Sequence, residues 1–191
     1  MADLITIDDY KTLMGITGVK DDEKINMLIP SISQLVRNYC DNPIIDYYST
    51  PFVEYFDIQW DTYTAQLKYS PIVNISSVYE RETQSSDYVL LVANSDYWVD
   101  IVSDSVFRTT SEGRYRNYPK GTGAVKVTYT CGYANTPVDL KLAIADLVTY
   151  YLKDERKERR SLGAATISYA KNSEDGSFPD YIKRVLDMYK I

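Results

Sequence analysis

Residues Val127–Leu140 read VTYTCGYANTPVDL, and the reading of this stretch decides the fold. Val125, Val127 and Tyr129 alternate with Lys126, Thr128 and Thr130, the period of two expected of a strand. Gly132 then supplies the backbone freedom to leave the strand. Thr136 is placed to cap a helix, Pro137 suits its first position, and Asp139 faces the positive end of its dipole. Leu140, Ala143, Ile144, Leu147 and Tyr151 recur at helical spacing, which predicts a helix over 137–156. Cys131 sits at the bend, where nucleophilic cysteines also occur. The chain contains no histidine, so a Cys-His or Ser-His-Asp proton shuttle lacks its imidazole. Cys131 is therefore read as a small residue where a strand ends near the core.

Working outward, Thr6 looks like the N-cap of a short helix over 7–14, with Asp9 near its positive end and Gly15 and Gly18 at its close. A longer helix is predicted over 22–40 from the stripe Ile25, Leu28, Ile29, Ile32, Leu35, Val36 and Tyr39. Pro30 lies inside it, and Asp41-Asn42-Pro43 stops it. Between about 52 and 130 the chain reads as short strands separated by turn residues. After residue 156 comes a charged cluster, a strand-like Thr166-Ile167-Ser168-Tyr169 and a polar link. Ile182, Val185, Leu186 and Tyr189 then give an amphipathic helix over 179–189. A helix this short is marginal alone in water and needs a surface to dock on, either this chain's body or a partner.

Composition narrows the function. The chain has 191 residues, 45% apolar and 25% charged, as in an ordinary globular protein. It has no apolar run near the roughly 18 residues needed to span a bilayer, and MADLITIDDYK lacks the features of a signal peptide. Both features predict a chain made and kept in a cytosol. Cys40 and Cys131 are too few for a disulfide framework, and two cysteines without histidine cannot close a zinc shell. The net charge of −6 disfavours a sequence-reading nucleic-acid binder. Nineteen tyrosines suit half-buried strands and also protein interfaces.

No constellation makes a convincing catalytic set, and no cofactor or metal is expected. Gly121-Thr122-Gly123 precedes a strand, where a phosphate loop would follow one, so it is read as a turn. Asp96, Asp100 and Asp104 would share a face if they lay on one continuous strand, as metal ligands or acid–base carboxylates do, but the spacing is not that of a calcium loop. Trp60 and Trp98 are read as packing residues.

Taken in order, ITIDDYKTLMGI, INMLIPSISQLVRNYCD, SPIVNISSVYE, PKGTGAVKVTYTCGYANTPVDLKLAIADLVTYYL, RRSLGAATISYAKN and FPDYIKRVLDMY resemble the head-tail connector (adaptor, or head-completion) proteins of long-tailed double-stranded DNA phages. The resemblance implies an α+β fold with a mainly α-helical core, formed by the four predicted helices, and a β-strand elaboration between about 52 and 130. It implies a core over 1–156 and a C-terminal arm over 157–191. It implies a non-enzymatic virion protein of the neck, made in the host bacterial cytoplasm and independent of membranes. Such a protein forms a homo-oligomeric ring of about twelve copies that docks on the portal, receives the next neck, stopper or tail protein, and lets double-stranded DNA pass without reading it. The arm is the expected portal-docking element, with Ser161, Leu162, Gly163, Ile167 and Tyr169 making the contact and Ile182, Leu186 and Tyr189 in support. A carboxylate-based hydrolase or carbohydrate-binding module built on Asp96, Asp100, Asp104 and the aromatics is the alternative from another class. Another neck or tail-completion protein is a third reading.

Overall fold

The computed structural model of the protein describes residues 2–45, 47–153, 159–162, 165–168 and 178–191. In chain order the elements are α1 (Ile7–Met14), α2 (Asp22–Cys40), β1 (Phe52–Ile58), β2 (Thr64–Gln66), β3 (Ile72–Glu80), β4 (Val89–Leu90), β5 (Tyr97–Asp100), β6 (Ser105–Arg108), β7 (Gly121–Cys131), α3 (Val138–Leu152), β8 (Arg159–Leu162), β9 (Ala165–Ser168) and α4 (Asp180–Asp187). They fall into two compact units: Met1–Ile44 with Asn135–Ile191, and Ile45–Ala134.

The first unit holds the helices. Thr6 caps α1 in a reciprocal box: its hydroxyl accepts from the Asp9 N–H at 3.1 Å, and the Asp9 carboxylate accepts from the Thr6 N–H at 3.1 Å. Gly15 ends the helix in the left-handed region, at φ 65°. The apolar stripe of α2 turns inward as its spacing requires, burying Ile25, Ile29, Ile32 and Val36, and the helix continues through Pro30 to Cys40. Leu140, Ile144, Leu147 and Val148 of α3 are fully buried. Thr136 does not cap α3. Pro137 takes the N-cap position with no side-chain bond, and the helix ends at Leu152, short of the predicted 156. Proline brings a fixed φ to that position, which starts the helix without a hydroxyl.

The second unit is β. One antiparallel sheet has the order β1-β7-β3-β4 and a smaller one the order β2-β6-β5. The long strand β7 is central, with Phe52↔Tyr129 on one side and Val78↔Val127 on the other. Its alternation is real: Val125, Val127, Tyr129 and Cys131 are buried and join Ile58, Ala65, Val78 and Val106 in one core. Gly121-Thr122-Gly123 is the start of β7, not a turn. Gly123 sits at φ 57°, where a Cβ would lie 2.9 Å from the Arg81 guanidinium. That close approach lets Arg81 and the Tyr88 hydroxyl both donate to its carbonyl.

The expected mainly α-helical core with a β elaboration is therefore overturned. Among the described residues strand takes 27% against 30% for helix, and the strand region is a compact unit with its own hydrophobic core. Its strands are short and interrupted by turns, so the sequence pattern understates what they bury once long-range pairing assembles them.

Candidate docking surfaces

The two cysteines end as packed residues. Both are buried, and burial pushes the thiols up, to about 11 for Cys40 and about 12 for Cys131, where the Glu54 and Asp104 carboxylates add to the shift. A thiol held protonated this far above neutral pH is a poor nucleophile.

The three aspartates do not share a face. Asp96 accepts from the Val92 N–H at 2.9 Å, Asp100 from the Val102 N–H at 3.0 Å and Ser103 at 2.8 Å, and Asp104 from the Ile72 N–H at 3.1 Å. Asp96 and Asp100 thus tie the turns before and after β5, while Asp104 bonds across to the start of β3. The Ser103 and Val102 bonds hold Asp100 below the usual carboxylate range. Among the described residues no group of three His, Cys, Asp or Glu side chains could hold a metal ion.

Charge is buried at a different point, one that sequence spacing did not reveal. Arg108 on β6 donates through Nε and one terminal nitrogen to the two oxygens of Glu80 on β3, each at 2.9 Å. Its other terminal nitrogen donates to the carbonyls of Asp96 and Thr109. Burial works against the guanidinium charge, but the Glu80 hydrogen bonds and charge outweigh it, and the Arg108 pKa is raised. This pair links strands of the two sheets.

The C-terminal region divides in two. Ser161 and Leu162 lie on β8 and Ile167 on β9, which pair as a hairpin with Ser161↔Thr166, Arg160↔Ile167 and Leu162↔Ala165. Gly163 and Tyr169 lie outside the described residues. Ile182 and Leu186, predicted to support docking, are fully buried within the helical unit, as is Phe178, which packs edge-on to Tyr39. Polar bonds fasten the same segment to the chain's own helices. Cys40 Sγ donates to the Leu186 carbonyl at 3.4 Å, Asn42 to the Tyr189 carbonyl at 3.0 Å, and the Ile191 N–H to the Cys40 carbonyl at 3.0 Å. The Tyr39 hydroxyl donates to Asp187 at 2.6 Å, a bond that raises its own pKa, and the Tyr189 hydroxyl donates to Asp139 at 2.7 Å.

Exposed rings gather on the smaller sheet. Trp98 stacks on Phe107 at 5.6 Å, and Tyr115 stacks on Tyr63 at 4.4 Å. Trp60 is 77% exposed, against the expectation that it packs. The tyrosine count hinted at such a surface; nothing in the sequence said which rings would meet.

The described surface thus offers a two-stranded antiparallel pair, β8 with β9, and exposed aromatic rings on the sheet unit. The head completion protein family is matched over residues 3–191, and the chain belongs to that family. Over 69 residues it is 32% identical to the head completion protein of Escherichia phage T5, a stretch covering 36% of this chain and 39% of the phage protein. Among solved structures it is similar to a chain in the neck of an empty gene transfer agent particle computed with C6 symmetry. That match has a TM-score of 0.55 at 14% identity, over 98% of this chain and 89% of the other. A chain in the neck of the native particle, computed with C12 symmetry, matches with a TM-score of 0.51 at 14% identity, over 99% and 93%. At these identities the likeness is one of fold.

Proposed function

We propose that the protein is a structural, non-enzymatic component of the neck of a tailed-phage-like particle. In this reading copies close into a ring, the hairpin Arg159–Ser168 docks on the portal, and the body receives the next neck or tail protein while DNA passes through the centre. Membership of the head completion family across nearly the whole chain carries the reading. The C6 and C12 symmetry of the necks that hold similar folds supports a closed ring, of which about twelve copies is one size. A net charge of −6 suits a conduit, because a basic lining would hold phosphates through counterion release. A two-stranded hairpin suits docking by strand addition, in which the partner's sheet satisfies the free backbone edge. The body spans 1–156 with its inserted β region, and the arm 157–191 is split in role: its hairpin reaches the portal, while α4 closes the helical unit.

The test replaces residues 159–168 with a glycine–serine linker and leaves α4 in place. Portal binding in a co-sedimentation assay should be lost while circular dichroism and thermal melting stay near wild type. Undiminished portal binding by the linker variant would remove the hairpin from the docking role.

A further inference from the structure

The smaller sheet carries a cleft that neck assembly does not account for. Beyond β6 the chain turns back on itself, with the Thr110 N–H donating to the Arg114 carbonyl at 2.8 Å and the Arg116 N–H to the Arg108 carbonyl at 3.0 Å. This turn pairs Tyr115 with Thr109. A cleft of about 290 Å³ results, lined by Asn94, Trp98, Thr109, Thr110, Gly113 and Tyr115.

Three properties of the lining define what it takes. No lining residue is charged, which suits a neutral ligand. Trp98 is 49% and Tyr115 61% exposed, which leaves aromatic surface for an apolar face to cover. The backbone N–H groups of Asn94 and Thr109 are satisfied, by the Tyr97 and Asp96 carbonyls. Their side chains, by contrast, make no hydrogen bond among the described residues, although Thr109 is only 8% exposed. The exposed Asn94 amide and the Thr109 hydroxyl are thus open, beside aromatic rings, to a ligand that brings donors and acceptors of its own. The volume lies just under the small-molecule range, which begins at about 300 Å³, and suits a single small ring.

A pyranose ring has this combination: no charge, an apolar face of C–H groups and a rim of hydroxyls. We propose that this cleft binds a neutral sugar residue of a glycan chain. A nucleotide would share the stacking but brings phosphate, for which the lining holds no cation. An apolar side chain from another protein would fill the space and leave Asn94 and Thr109 unsatisfied. The inference goes beyond the neck role and does not depend on it.

The full-length protein is titrated separately with maltohexaose, cellohexaose and N-acetylchitohexaose, following tryptophan fluorescence and heat. At least one should bind saturably. Trp98→Ala should weaken that binding by at least about tenfold, and so should Thr109→Val, which keeps the side-chain shape and removes only the hydroxyl. Trp60→Ala should leave it unchanged. Absence of saturation at about 10 mM with all three sugars, or equal binding by wild type and both cleft variants, overturns the proposal. So does self-association that Trp98→Ala abolishes in a protein silent to sugar, because the cleft would then join copies of this chain.

Discussion

Each unit buries an arginine, and the two are used differently. In the β unit Arg108 grips a carboxylate, joining strands β6 and β3, and the unit is one continuous stretch, Ile45–Ala134. In the helical unit Arg37 reaches from α2 to the carbonyls of Ala2 and Pro43, and the unit is assembled from two stretches far apart in sequence. Its joints carry many side-chain-to-backbone bonds: the Leu4 N–H to Ser33 at 3.1 Å, Asn42 to Tyr189, and Cys40 to Leu186. The β unit adds bonds of the same kind to its strand ladders, with the Ile72 N–H donating to Asp104 and Arg81 donating to the Gly123 carbonyl. A unit assembled from two separate stretches must fix each joint against the entropy of the chain it orders.

The largest effect should come from the β unit. Glu80→Ala leaves the buried Arg108 only the more distant Asp96 carboxylate, at 3.7 Å, and should cost about 3 kcal/mol in chemical denaturation. Replacing both partners together, Glu80→Leu with Arg108→Met, should cost distinctly less. A double variant as damaged as the single one would mean that the pair contributes more than relief of an isolated charge. Next comes the returning segment of the helical unit. Leu186→Ala should cost about 2–5 kcal/mol, and hydrogen exchange should accelerate first over 178–191. Uniform acceleration across α2, α3 and α4 would show the joint to be no weaker than the bundle. The smallest effect belongs to the local cap: Thr6→Ala should lose about 1 kcal/mol, with faster exchange confined to the first turn of α1.

Local features were legible wherever the physics is local. The capping box at Thr6 and Asp9, the stripe of α2, the alternation of β7 and the strand-to-helix passage around Cys131 all follow from neighbours within a few residues. The Arg108–Glu80 pair was not legible, because 28 residues separate its members and two sheets must assemble to bring them together. The three aspartates misled for the same reason in reverse. Regular spacing suggested a shared face, but the chain turns at Asp96 and again at Asp104, which sits at φ 49°. The tyrosine content announced an aromatic surface without naming the rings that meet.

The amino-acid sequence by itself determined the helix positions, the central strand, the missing imidazole and the family resemblance, since each rests on residue type and short-range period. Only the tertiary structure decided that the strands form a unit with a core of their own, that Ile182 and Leu186 face this chain's helices, and that Trp98, Thr109 and Tyr115 surround one cleft. Burial and side-chain proximity depend on which distant segments pair, and that choice is made by the packing of the whole chain, not by any window along it.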